Sequence, residues 1–214
     1  MYNKKRCDSL LVSSDLHSIH TFLVFYFSFS TMPLFAEGWC PGSKAAFFNQ
    51  TYSFASTPKI NLKEQSFTIA CWIKQTRWVP DQLAAIYGDW YYPWQFLLAI
   101  QNQKITLQRH QDGKEEWFYL ESSSVISDAW THVAVTWDHV IGAVRIYGDG
   151  KEIGYRSFKP EATFYGLTGK LYQIGNDGHT REDHQFHGSI MDLYVLGTAL
   201  TADQINKLRG ELQV

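Results

Sequence analysis

The sequence predicts an all-β fold built as two packed antiparallel sheets, closed by one short helix near the C-terminal end. Aromatic residues make up 16% of the 214-residue chain, with 8 Trp, 12 Tyr and 14 Phe, and such rings favour the half-buried surface of a pleated strand. From about residue 44 onward short runs alternate apolar and polar residues between turn pairs, and no 3.6-residue period appears until the end of the chain. Hydrophobic residues at 45% against charged residues at 19% supply enough apolar surface for a substantial core and exclude a disordered chain.

Residues 1–36 differ in character from the rest of the chain. Lys4, Lys5 and Arg6 give a basic start, and Thr21-Phe-Leu-Val-Phe-Tyr-Phe-Ser-Phe-Ser-Thr-Met-Pro-Leu-Phe-Ala36 is uncharged and almost free of polarity. This resembles a secretory signal peptide with cleavage near Ala36. The run is interrupted by Pro33 and is short for a helix that must cross roughly 30 Å of hydrocarbon, which takes about 20 residues. The expectation is an extracellular protein without a stable membrane span. An uncleaved leader would instead anchor the chain at the membrane, and a start at Met32 would leave it in the cytosol. Residues 37–43 form a lead-in and 211–214 a tail.

Losing the leader removes Cys7 and leaves Cys40 and Cys71. In an oxidising compartment these two would bridge, closing a loop worth about 3–4 kcal/mol by chain entropy; the alternative is a free, buried Cys71. Asn49-Gln50-Thr51 is a glycosylation sequon, which agrees with export.

The strands can be placed one by one. Phe67-Thr-Ile-Ala-Cys-Trp-Ile-Lys74 sets Phe67, Ile69, Cys71 and Ile73 on one face, plainly the core face, and Thr68, Ala70, Trp72 and Lys74 on the other. Lys104–Arg109 and Glu116–Leu120 flank Asp112-Gly113, a hairpin signal because a type I′ turn needs positive φ at its centre. Trp130–Trp137 and Ala143–Tyr147 are further strands, and a second such turn stands at Asp149-Gly150. Leu171–Ile174 and Ser189–Val195 are the last strands. Thr201-Ala-Asp-Gln204 fits a capping box, in which the Thr hydroxyl takes an orphan amide and Gln204 reaches back to the cap. Ile205 and Leu208 would supply the apolar stripe of the helix.

Five of these segments, in order, also resemble a known family. Phe67–Lys74, Trp130-Thr-His-Val-Ala-Val-Thr-Trp-Asp138, Val144-Arg-Ile-Tyr-Gly-Asp-Gly150, Ile174-Gly-Asn176 and Phe186-His-Gly-Ser-Ile-Met-Asp-Leu-Tyr194 are similar to the motifs of concanavalin A-like domains. The resemblance is nearest to the laminin G-like and pentraxin-like branch. It runs on through Ala199-Leu-Thr-Ala-Asp-Gln-Ile205 and covers residues 44–210. It implies a jelly-roll sandwich and a binding role toward a glycan or an extracellular protein, with self-association as in pentraxin relatives.

In pentraxin-like relatives calcium sits on one sheet face between two loops. The corresponding loops here are Gly88–Gln95 and Asn176–His187. Calcium takes six or more oxygen ligands, and the resemblance puts Asp89, Asn176, Asp177 and Asp183 forward as the set. Where the relatives carry an Asp-Asn pair this chain has Trp94-Gln95, and Asp177-Gly178 also reads simply as a turn. His179, His184 and His187 match no zinc signature and read as a solvated loop.

Gly88-Asp-Trp-Tyr-Tyr-Pro-Trp94 packs four rings into seven residues. Rings with an apolar face and a polar edge suit sugars and protein hot spots, which makes Trp90, Tyr91, Tyr92, Trp94 and Gln95 the candidate contacts. The competing reading is that Trp90 and Trp94 plug the rim of the sandwich.

Catalysis is disfavoured. Polysaccharide-cleaving relatives carry two carboxylates on one strand to flank a glycosidic bond. No Glu-x-Asp-x-Glu pattern occurs, and Glu115-Glu116 point to opposite faces of a strand. Nor is there a His-Glu-x-x-His, a Gly-x-Ser-x-Gly or a phosphate-binding Gly-Lys-Ser/Thr. With 19 basic and 21 acidic side chains and no concentrated basic patch, nucleic acid is not expected as a partner.

Overall fold

The structure, a computed structural model, describes residues 34–38, 42–50, 52–90, 94–111, 118–124, 126–161, 163–164, 167–178 and 184–210. The chain forms β1 (Leu34–Glu37), β2 (Lys44–Phe48), β3 (Ala55–Ser56), β4 (Ile60–Asn61), β5 (Phe67–Gln75), β6 (Ala84–Asp89), β7 (Trp94–Gln101) and β8 (Lys104–Gln111). Then come β9 (Phe118–Glu121), β10 (Thr131–Asp138), β11 (Ala143–Gly148), β12 (Lys151–Ser157), β13 (Thr168–Lys170), β14 (Gln173–Ile174), β15 (Gly188–Leu196) and the helix α1 (Ala202–Gly210). A seven-stranded sheet in the order β1-β2-β15-β5-β10-β11-β12 faces a six-stranded sheet in the order β3-β14-β6-β7-β8-β9, and β13 pairs with β4. The two-sheet antiparallel sandwich with a C-terminal helix is the architecture the sequence predicts. Residues 1–33 of the leader and the Asp112-Gly113 turn lie outside the described residues; Ala36, the expected cleavage position, lies in β1 and pairs with Ala45.

The core lies between the sheets and follows the alternation of the strands. Phe67, Ile69, Cys71 and Ile73 of β5 meet Val133 and Val135 of β10 and, from the other sheet, Phe96, Leu98 and Ile100 of β7. A fully buried side chain of this kind contributes about 1.5–3 kcal/mol by leaving water. The aromatic density resolves into a connected core: Phe164 stands 5.2 Å from Phe67, 6.1 Å from Phe96 and 5.4 Å from Trp137, and Tyr172 lies 6.3 Å from Phe96. In β6 a register shift between Ala85 and Tyr87 turns both Ile86 and Tyr87 inward, since a bulge breaks the two-residue period locally.

Two local devices match the sequence closely. Asp149 and Gly150 adopt φ of 48° and 78°, the left-handed pair a two-residue hairpin between β11 and β12 demands. At α1, the Thr201 amide donates to Gln204 Oε1 at 2.8 Å and the Gln204 amide to Thr201 Oγ1 at 3.3 Å, a reciprocal capping box. Ile205 is fully buried and Leu208 packs beside it on Ala70, Ala134 and Tyr147. The outward face of β5 is thereby covered at Ala70.

Two expectations are corrected. Leu171–Ile174 is not one strand: β13 and β14 belong to different sheets, and the chain crosses between them at Leu171, 55% exposed, and Tyr172, fully buried. Cys71 is a free thiol rather than half of a bridge. Its side chain faces the core from a strand flanked by β10 and β15, so a partner such as Cys40, which lies outside the described residues, would have to enter the sandwich interior. Burial pushes the Cys71 thiol far above its ordinary pKa, with the nearby Asp192 carboxylate adding to the shift.

Candidate functional site

The structure joins the two loops singled out from the sequence at one edge of the six-stranded sheet. The Trp90 amide donates to the Asp177 carbonyl at 2.8 Å. Gly178, at φ 82°, comes so close that an added Cβ would stand 3.3 Å from Asp89 Oδ1, and its amide donates to Gln173 Oε1 at 3.1 Å. Glycine is needed here for both the left-handed backbone and the close approach.

The second loop is closed at its base. Gly175 donates to Ile86 and accepts from Phe186, both at 3.0 Å, while Phe186 stacks edge-to-face on Phe48 at 6.5 Å. Gln185, 1% exposed, acts as the internal strut: its amide nitrogen lies 2.9 Å from the Ser53 carbonyl, 2.7 Å from that of Gly175 and 3.0 Å from that of Phe186. Its Oε1 accepts from Asn176 Nδ2 at 2.9 Å, and Asn176 Oδ1 accepts the Asp177 amide at 2.7 Å. The Asp177 side chain, fully buried, accepts a hydrogen bond from His184 Nδ1 on its Oδ2.

These contacts place the predicted residues individually. Asp89, 9% exposed, ends β6 against Gly178. Trp90 is half-buried and packs with Leu83 on Ala85, Leu97 and Ala99, on the sheet face turned away from the core. Trp94 and Gln95 open β7, paired with Gln111 and His110. Tyr91, Tyr92 and Asp183 lie outside the described residues, as does His179. Asn49 is exposed just beyond β2, where a glycan would meet solvent.

The expectation of a solvated histidine loop is corrected at His184, which is 8% exposed and bound to Asp177. His187 is half-buried, and burial together with the Arg77 charge holds its imidazole below the ordinary pKa. Gln185 was not singled out from the sequence, where a lone Gln between His184 and Phe186 carries no signal. Of the calcium set, Asp177 Oδ2 holds His184 Nδ1, Asn176 bonds to Gln185 and to the Asp177 amide, and Asp183 lies outside the described residues. Among the described residues no group of three or more His, Cys, Asp or Glu side chains converges to hold a metal.

Comparison with known proteins agrees with this architecture. A family model described as the Concanavalin A-like lectin/glucanases superfamily, of the laminin G type, matches residues 49–206. Pentraxin-related protein PTX3 of Mus musculus is 25% identical over 188 residues, 82% of this chain and 48% of that protein, so the chain spans about half the length of this relative. Domain 4 of AbnA, an extracellular GH43 arabinanase from Geobacillus stearothermophilus solved with arabinotriose, superposes with a TM-score of 0.62 at 21% identity, covering 82% of this chain and 81% of that one. The heptameric SAP-like pentraxin of Limulus polyphemus gives 0.57 at 17% identity, covering 76% and 79%. At these identities the solved structures share the fold. Two antiparallel sheets, the ordered strand motifs and a family match over most of the chain place this protein in the concanavalin A-like superfamily, among its laminin G-type domains.

Proposed function

We propose that this chain is a secreted, non-catalytic binding module that recognises a glycan or glycoconjugate at the edge formed by loops 88–95 and 176–187. The observation that carries the reading is the Trp90-to-Asp177 backbone bond, which fastens an aromatic loop to a prebuilt polar one. A half-buried indole on the sheet surface beside a fixed loop offers an apolar platform for one face of a sugar. A neighbour of similar fold was solved with arabinotriose, which supports a sugar as the ligand class. Export rests on the leader and the exposed sequon; no helix among the described residues is long and apolar enough to cross a membrane.

Calcium assistance would require Asp177 to exchange His184 for the ion. The test is a glycan array probed with protein exported from a eukaryotic host, in calcium and in chelator. Binding that falls in Trp90→Ala supports the site, and binding equal to wild type sinks it. Loss in chelator would add the ion, and indifference would remove it.

A second reading, an extracellular protein-interaction module, draws on Val140 and Ile141. They stand 68% and 50% exposed beside each other between β10 and β11, and exposed apolar side chains in contact are more costly in water than scattered ones. Arrays bare of any glycan, with a partner protein lost on Val140→Ser, would favour it.

A further inference from the structure

At the opposite end of the β6–β7 hairpin from Trp90 lies a cavity of about 260 Å³ that the loop pair does not use. Trp78, Val79 and Pro80 form one wall, Ile100 the inner end, and Gln75, Gln82, Asn102 and Gln103 bring four amide side chains to the rest. Among the described residues none of the lining side chains is charged. At about 3.3 Å per residue, the strands separate it from the Asp89–Trp90 edge by about 20 Å.

The walls are held in place before any ligand arrives. The Asp81 amide donates to Asn102 Oδ1 at 3.0 Å, and Asn102 Nδ2 returns a bond to Asp81 Oδ1 at 3.1 Å. Gln101 Nε2 adds a bond to the Asp81 carbonyl at 3.1 Å. Asp81, Asn102 and Gln103 all sit at left-handed φ, 60°, 50° and 62°, a conformation that costs non-glycine residues energy and persists where the surroundings impose it. Inside the cavity wall, Gln75 is 5% exposed; its Nε2 donates to the Arg77 carbonyl at 2.9 Å, while its Oε1 has no partner. A buried acceptor left unpaired is unfavourable, so a small turn of the Gln75 amide toward an entering hydroxyl would satisfy it.

We infer that this cavity is a second ligand site and that it takes a neutral sugar unit. The half-buried Trp78 ring offers an apolar platform for the C–H face of a sugar, and the amides offer donors and acceptors for its hydroxyls. The absence of charge in the lining selects against sialylated or sulfated units, which would enter without a counter-ion. The volume lies just under the 300–1,000 Å³ common for small-molecule sites and suits one unit of a chain that continues into solvent. The inference rests on the glycan-binding reading but not on its placement at Trp90. With two sites at opposite ends, one module would engage a branched or repeating glycan twice, and each would raise the effective concentration at the other.

The test is titration of the folded protein with maltotriose, mannotriose and sialyllactose, monitored through the Trp indole N–H resonances, with the Trp78 signal assigned by Trp78→Phe, which keeps the apolar packing. A neutral trisaccharide should shift the Trp78 signal. Gln75→Leu and Trp78→Ala should each weaken that binding at least tenfold. Should Trp78→Ala unfold, Gln75→Leu and the Trp78 signal decide alone. Neutral sugar bound with no effect of either cavity variant overturns the inference and leaves the glycan reading standing. Sialyllactose bound more tightly at Trp78 overturns the neutral class. No sugar bound at any concentration removes both the cavity site and the glycan reading.

Discussion

His184 hands its Nδ1 hydrogen to the Asp177 carboxylate inside a loop whose two ends are pinned together by Gly175 and Phe186. The pair is seven residues apart and both partners are buried, so it acts as an internal clasp that sets where the Asp177 carbonyl meets Trp90. Removing one partner of a buried hydrogen-bonded pair leaves the other unsatisfied and costs about 1–3 kcal/mol. Asp177→Ala and His184→Ala are each expected to lower the urea midpoint accordingly and to loosen the aromatic loop. Midpoints equal to wild type would show that the clasp is not formed in solution.

Trp90 lies half-buried on Ala85, Leu97 and Ala99. Replacing it with Ala removes roughly half of a buried ring, an expected loss of about 2 kcal/mol, in addition to any loss of ligand. Denaturation and binding measured on the same variant separate these effects. A large loss of binding without the stability change would mean the ring is exposed to ligand rather than packed on the sheet.

Asp192 and His132 oppose each other in pH. Burial raises the Asp192 carboxyl to about 6, from an ordinary 3.8. Between those values the folded state binds the proton and the unfolded state does not, so stability falls as pH rises through the window. Burial and the Arg209 charge lower His132 to about 4, from 6.5. There the unfolded state binds the proton, so stability rises with pH over 4–6.5. In the wild type the two slopes oppose each other. Asp192→Asn, chosen because Asn tolerates the left-handed φ of 51° at that position, should expose the rising slope, and His132→Gln the falling one. Urea midpoints from pH 4 to 6.5 measure both; parallel slopes in the two variants would refute the opposition.

Cys71, buried in the core with its thiol pushed up, should resist iodoacetamide in the folded protein and react only on unfolding. Reductant should leave the melting temperature unchanged. A drop of several degrees in reductant would restore the bridge to Cys40.

Protein exported from a eukaryotic host should carry a glycan at Asn49, exposed beyond β2, and begin near Glu37. Mass spectrometry before and after deglycosylation reads both. An unmodified Asn49 on a chain still starting at Met1 would argue against export.

Much of the fold was legible because its signals are local. The two-residue alternation of Phe67–Ile73 gave the core face, Asp149-Gly150 the hairpin, and Thr201 with Gln204 the cap, each depending on residues within a few positions. Ala84–Asp89 and Trp94–Gln101 were harder to place as strands, since both their faces are buried and the bulge at Ala85–Tyr87 breaks the period. The pairing of the two candidate loops came from family resemblance, whereas the role of His184 did not, since a histidine in a polar loop looks the same whether solvated or clasped.

The sequence by itself determined the sandwich, its inward faces, the position of the helix and the family, because turn chemistry and strand period are properties of neighbouring residues. Only the packed chain shows that Asp177 closes on His184, that Cys71 is a buried free thiol, and that Gln75 meets Asn102 and Trp78 around one cavity. Those outcomes depend on which strands lie side by side and how deep each group sits. Burial and long-range contact are set by the packing of the whole chain, and no short stretch of sequence encodes them.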